Sequence, residues 1–82
     1  MSEWEYATIW YGEEASLKDH NLGQMIWSAQ IKWPGADQLD LRDEVRIEDV
    51  LNDVGREGWE LVSETPAPGI NARELRLKRP RP

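Results

Sequence analysis

Leu51-Asn52-Asp53-Val54-Gly55-Arg56-Glu57-Gly58-Trp59-Glu60-Leu61-Val62 reads as the last turns of an amphipathic helix, a glycine stop and a buried strand. The rest of the chain is organised around that corner. Ile47, Val50, Leu51 and Val54 fall at i, i+3, i+4 and i+7, which lines one face of a 3.6-residue helix, while Glu48, Asp49, Asn52, Asp53 and Arg56 cover the other side. Gly58 lies just past the periodic run, where a left-handed residue closes a helix at little steric cost. Gly55 lies inside the run and costs about 1 kcal/mol relative to alanine. It marks a fraying last turn or a close approach of helix to sheet.

Working outward, Trp4-Glu5-Tyr6-Ala7-Thr8-Ile9-Trp10-Tyr11 is dense in aromatic and β-branched residues and reads as a strand. Trp4, Tyr6, Thr8 and Trp10 share one face, and Glu5, Ala7, Ile9 and Tyr11 the other. Gly12 to Gly23 is polar and reads as a long loop of the kind that is often functional or mobile. In the second strand Met25, Trp27, Ala29, Ile31 and Trp33 alternate with polar residues, Ile26 being the exception, and Pro34-Gly35 ends it. Ala36 to Glu44 reads as a polar crossing into the helix, with Asp43 as N-cap. After the helix, a strand from Trp59 to Ser63 is broken at Thr65-Pro66-Ala67-Pro68-Gly69, and a return strand runs from Ile70 to Lys78. Pro80 and Pro82 are expected to stop the ladder. The predicted fold is therefore α+β: residues 1–82 form one domain, a four-stranded, mainly antiparallel sheet in β-β-α-β-β order with one helix on one face, and residues 79–82 form a short Pro/Arg tail.

The corner's Leu-Asn-x-x-Gly-x-Glu-Gly-Trp-Glu-Leu-Val wording resembles the signature of the small family called domain of unknown function 4177. Trp4-Glu5-Tyr6 and Leu77-Lys78-Arg79-Pro80 are similar to that family's first and last strands. The resemblance covers about half the chain and implies a compact strand, helix and hairpin unit that brings no catalytic residues. The stretch from Tyr11 to Glu44 is longer than that pattern and departs from it.

At 82 residues the chain holds one core, and a domain of this size buries only about 60 to 65% of its unfolded surface. With 39% apolar residues and five tryptophans it is too rich in large hydrophobes to be disordered. No apolar run approaches a membrane span, and Met1-Ser2-Glu3 lacks a signal-peptide start, so the expected location is cytoplasmic. Zero cysteines remove thiolate chemistry and cysteine zinc sites. The lone His20 reads as a solvated loop residue. Asp37, Asp40, Asp43 and Glu44 lack the alternate-position ligands of an EF-hand and read as solvated helix-start acids, so no metal or other cofactor is expected. The net charge of −6 hides an asymmetry: residues 73–82 carry +4, which leaves −10 on the first 72. So acidic a body makes nucleic acid an unlikely partner.

No phosphate-binding glycine loop, nucleophile elbow or paired metal ligands are present, so an enzyme is not expected. The informative feature is an aromatic surplus. One helix covers one face of a sheet, so some rings should lie on the other, and aromatic residues are enriched at the centres of protein interfaces. The candidate interface or ligand-binding residues are Trp4, Tyr6, Trp10, Tyr11, Trp27 and Trp33. The leading expectation is a non-enzymatic module that associates with itself or another protein through an aromatic sheet face or edge strand. The alternatives are a small-molecule binding domain with a Trp/Tyr-lined pocket beside the Gly12 to Gly23 loop, and an accessory component of a larger assembly such as a virion.

Overall fold

A computed structural model describes residues 3–81. Expectations placed on Met1, Ser2 and Pro82 lie outside them. The elements are β1 (Trp4–Ala15), a 3-10 turn (Asp19–Asn21), β2 (Met25–Lys32), β3 (Asp40–Asp43), α1 (Ile47–Gly55), β4 (Glu60–Pro66) and β5 (Ile70–Pro80). The α+β class and the single helix stand, but the sheet has five strands rather than four, in the order β3-β2-β1-β5-β4, with every pairing antiparallel.

The additional strand is β3, inside the stretch read from sequence as a polar crossing. Asp40-Leu41-Arg42-Asp43 has no β-branched or aromatic residue to announce a strand, and it forms by pairing along β2 from Ile31 to Ser28. Asp43 therefore belongs to an edge strand, and Arg46 takes the N-cap position without a side-chain hydrogen bond. Glu44, with φ +56°, turns the chain between the two elements. Three further boundaries also move. β1 runs on through Gly12 to Ala15, paired with Ser28 to Met25, which shortens the expected loop. β4 begins at Glu60 and continues through Pro66, which an edge strand tolerates because one side of its backbone needs no donor. β5 continues through Pro80, paired with Trp4, and the Arg81 N–H donates to the Glu3 carbonyl at 3.0 Å. The proline does not stop the ladder, because β4 has already ended on its other side.

Alternation along the strands builds the core. Ala7 and Ile9 of β1, Ala29 and Ile31 of β2, and Leu75 and Leu77 of β5 are buried together with Val50, Val54 and Trp59 beneath α1. Each large aliphatic side chain among them contributes roughly 1.5–3 kcal/mol by leaving water. Gly58, with φ +91°, ends the helix as expected, and the Trp59 N–H donates to the Val54 carbonyl at 3.2 Å. A helix of nine residues is about 13 Å long. The 12 residues of β1 extend for about 40 Å. The helix thus shields only the middle of one face, and among the described residues no element covers the opposite face. Among the described residues no helix is long and apolar enough to cross a membrane.

Candidate functional site

The six aromatic candidates divide between the two faces. Tyr11, Trp27 and Trp33 lie on the helix side. Tyr11 and Trp27 stack at 5.2 Å with an interplanar angle of 13°, and the Tyr11 hydroxyl donates to the Val45 carbonyl at 2.8 Å. Burial pushes the Tyr11 phenol above its ordinary value of 10.0, and the hydrogen bond at the start of α1 offsets part of that. Trp33 packs on Trp59 at 5.6 Å, and its indole N–H donates to Asp40 at 2.9 Å. Asp40 is held below the usual carboxylate range, first by the Arg42 guanidinium and then by the Trp33 N–H. These three rings finish the helix-side packing, although Trp27 remains 39% exposed at its margin.

Trp4, Tyr6 and Trp10 lie on the uncovered side, at the alternation opposite to Ala7 and Ile9. Tyr6 is 61% exposed and Trp4 is 38% exposed, with the Lys78 ammonium 4.2 Å from the Trp4 ring. Trp10 is half-buried, and its indole N–H is fixed by Glu74 at 3.0 Å. Ile26 and the exposed Leu41 belong to the same face.

This face also contains a trough. Ser28, Gly12, Ala72 and Ala67 stand side by side across β2, β1, β5 and the hairpin between β4 and β5, so one row of the sheet has almost no side-chain height. Gly12 is required there. A Cβ at that position would lie 3.0 Å from the Ala72 Cβ and 3.3 Å from the Ile70 carbonyl. Trp10 and Gln30 wall one side and Glu14 the other, enclosing a cavity of about 460 Å³. The nearly buried Ser28 hydroxyl donates to Glu14 at 2.9 Å and holds that wall upright. The sequence reading placed a pocket beside the Gly12 to Gly23 loop. The trough does begin at Gly12, but on strand residues. Gly12, Glu14, Ser28 and Ala72 were missed because their row exists only once the strand register is known. The glycine inside an aromatic strand was the one local signal of close approach.

The remaining polar candidates are engaged elsewhere. Asp43 lies 3.9 Å from Lys18, and Glu44 accepts from Asn21 and stands 3.8 Å from His20. Among the described residues no group of three or more metal-binding side chains is assembled. Arg73, Arg76, Arg79 and Arg81 each have a carboxylate within reach, on Glu64, Glu74, Glu5 and Glu3 respectively, so the basic last strand lies along acidic neighbours. Comparison with family models, with curated proteins and with solved structures finds no match.

Proposed function

We propose that this domain is a non-enzymatic interaction module that associates with a second copy of itself through the sheet face opposite α1. The observation that carries the reading is the position of Trp4, Tyr6 and Trp10, three large rings on the face that, among the described residues, no element covers. Two further features favour a copy of the same chain. The face carries basic residues, Lys32, Arg76 and Lys78, toward one end and acidic residues, Glu74 and Glu14, toward the other, so two copies in opposite directions place unlike charges together. The molecule measures 49 × 23 Å in outline, room for the roughly 800 Å² that each partner of a standard interface contributes. Nucleic acid suits this face poorly, since the chain is acidic overall and its C-terminal arginines already have carboxylate neighbours. The cytoplasmic location belongs to the same proposal, as does kinship with domain of unknown function 4177, which rests on the wording of Leu51 to Val62 with Trp4 to Tyr6 and Leu77 to Pro80 beside it.

Sedimentation or light scattering over a dilution series tests the reading. A species of twice the 9.5 kDa chain mass is expected to build up with concentration. The melting temperature should rise in parallel, because mass action stabilises an associating fold. A strict monomer at millimolar concentration refutes it. The second reading, a small molecule seated in the trough, is favoured by the cavity walled by Trp10 and Glu14. A compound that raises the melting temperature independently of protein concentration would support it.

A further inference from the structure

The uncovered face has a ridge as well as a trough, and both lie at the same distance from one point. Its β1 residues are Trp4, Tyr6, Thr8, Trp10, Gly12 and Glu14, and Ile9 marks the middle of that series. Tyr6 stands three residues to one side of Ile9 as the most exposed ring of the face, and Gly12 stands three residues to the other side as the floor of the trough. The cross-strand partners keep the same relation. Thr8 pairs with Arg76 and Trp10 pairs with Glu74. A two-fold axis that crosses the strands at Ile9 therefore lays Tyr6 of one copy over Gly12 of the other, Thr8 over Trp10, and Arg76 over Glu74.

Resting on the self-association proposed above, we infer that the trough is the socket for the Tyr6 ring of a second copy, in a face-to-face dimer whose two-fold axis passes over Ile9. Sheets that pack face to face keep their strands within about 30° of each other and about 10 Å apart. One layer of side chains from each sheet fills such a gap, so a tall row needs a low row opposite it. Ser28, Gly12 and Ala72 form the low row, and the cavity of about 460 Å³ above them is ample for a phenol ring. An isologous contact of this kind uses each pairing twice: two Tyr6 rings, two sockets and two Arg76 to Glu74 contacts. Within one chain Arg76 and Glu74 are already 3.6 Å apart, with side chains 65% and 26% exposed, so Arg76 stands at the surface the second copy would meet and Glu74 is half-buried beside it.

Three variants test the inference with association and fold measured separately. Tyr6→Ala removes a largely exposed ring, so circular dichroism and the melting temperature of the dilute protein should match the parent. Its association should weaken by roughly 30-fold or more, as for a buried aromatic anchor. Arg76→Glu and Glu74→Lys each place like charges opposite one another and should each dissociate the dimer. Mixed in equal amounts, the two variants should recover it as a heterodimer, because both contacts are then between unlike charges. A dimer of unchanged affinity in Tyr6→Ala, or a failure of the mixed variants to recover association, overturns the inference while leaving self-association in place. A parent chain that stays monomeric overturns both. A small molecule shown to fill the trough without weakening the dimer also overturns it.

Discussion

Replacing Gly12 by alanine tests the close approach at the trough floor, because two effects of opposite sign meet there. The φ of Gly12 is not in the left-handed region, so alanine can adopt the backbone, and its smaller unfolded-state freedom alone would stabilise the fold by roughly 0.5–1 kcal/mol. Against this, the new Cβ would stand 3.0 Å from the Ala72 Cβ, 3.1 Å from the Ala72 Cα and 3.3 Å from the Ile70 carbonyl. Carbon atoms prefer about 3.5–4.0 Å, so β1 and β5 must move apart. Overpacking of this kind costs about 1–3 kcal/mol. The net expectation is a loss of about 1–2 kcal/mol, read as a fall of roughly 5–10 °C in the melting temperature of a domain this size. The measurement belongs at high dilution, so that any change in association does not enter it. Adding Ala72→Gly should recover only part of the loss, since the Cα and carbonyl contacts remain. Gly55→Ala is the control: nothing lies within 4 Å of its new Cβ, and it should gain up to about 1 kcal/mol as a helical alanine. Equal or greater stability in Gly12→Ala would refute the close approach.

Two predictions concern titration. Tyr11 has a folded value raised by burial, so its unfolded form ionises first, and its contribution is full below pH 10 and lost as pH rises through the folded value. Tyr11→Phe should cost about 1 kcal/mol at neutral pH for the lost bond to Val45 and should fall less steeply in alkaline urea titrations. An alkaline slope equal to the parent's would remove Tyr11 as its source. Asp40 has the opposite sign: its folded value is lowered, so its contribution is present above about pH 3.8 and lost as pH falls through the folded value. Asp40→Asn should therefore narrow its stability gap to the parent in acid, and a gap that stays constant down to pH 2 would refute the assignment.

Much of the fold was legible because it depends on local periodicity. The stripe of Ile47, Val50, Leu51 and Val54 and the alternation of β2 each name a face without reference to any other segment. β3 was not legible, because Asp40 to Asp43 becomes a strand only by lying along Ser28 to Ile31. Gly12 to Ala15 looked like loop for the same reason: polar residues extend a strand where a partner ladder is already in place. The site was half legible. Parity along β1 separates Trp4, Tyr6 and Trp10 from Tyr11 directly in the sequence. Parity could not say that Trp27 would stack on Tyr11 or that Trp33 would meet Trp59, since those contacts follow from register and from the path of α1. A trough made of one residue from each of three strands and one from a hairpin leaves no trace in any one of them.

The distribution of bulk along β1 gives the strongest reason to look for a partner. In the buried core under the helix, β1 contributes Ala7 and Ile9, and β2 contributes Ala29 and Ile31. The alanines let α1 approach the centre of the sheet, and Trp59, Trp33 and Tyr11 close the core around them. Of the four rings of β1, Tyr11 alone lies on the helix side, and the other three, Trp4, Tyr6 and Trp10, occupy the opposite parity and face away from α1. A one-residue shift in register would send every one of them to the helix side, so the pattern is held by the whole ladder from Trp4–Pro80 to Tyr11–Arg73. A chain that had only its own core to fill could satisfy α1 with the same small residues and place polar side chains on the outer face, as half-covered antiparallel sheets commonly do. Here the outer face instead alternates a ring-bearing ridge with a glycine-floored trough. Gly12 serves the single subunit by letting β1 and β5 approach, whereas the largely exposed Tyr6 ring adds little to it, and closing one face upon another would use both.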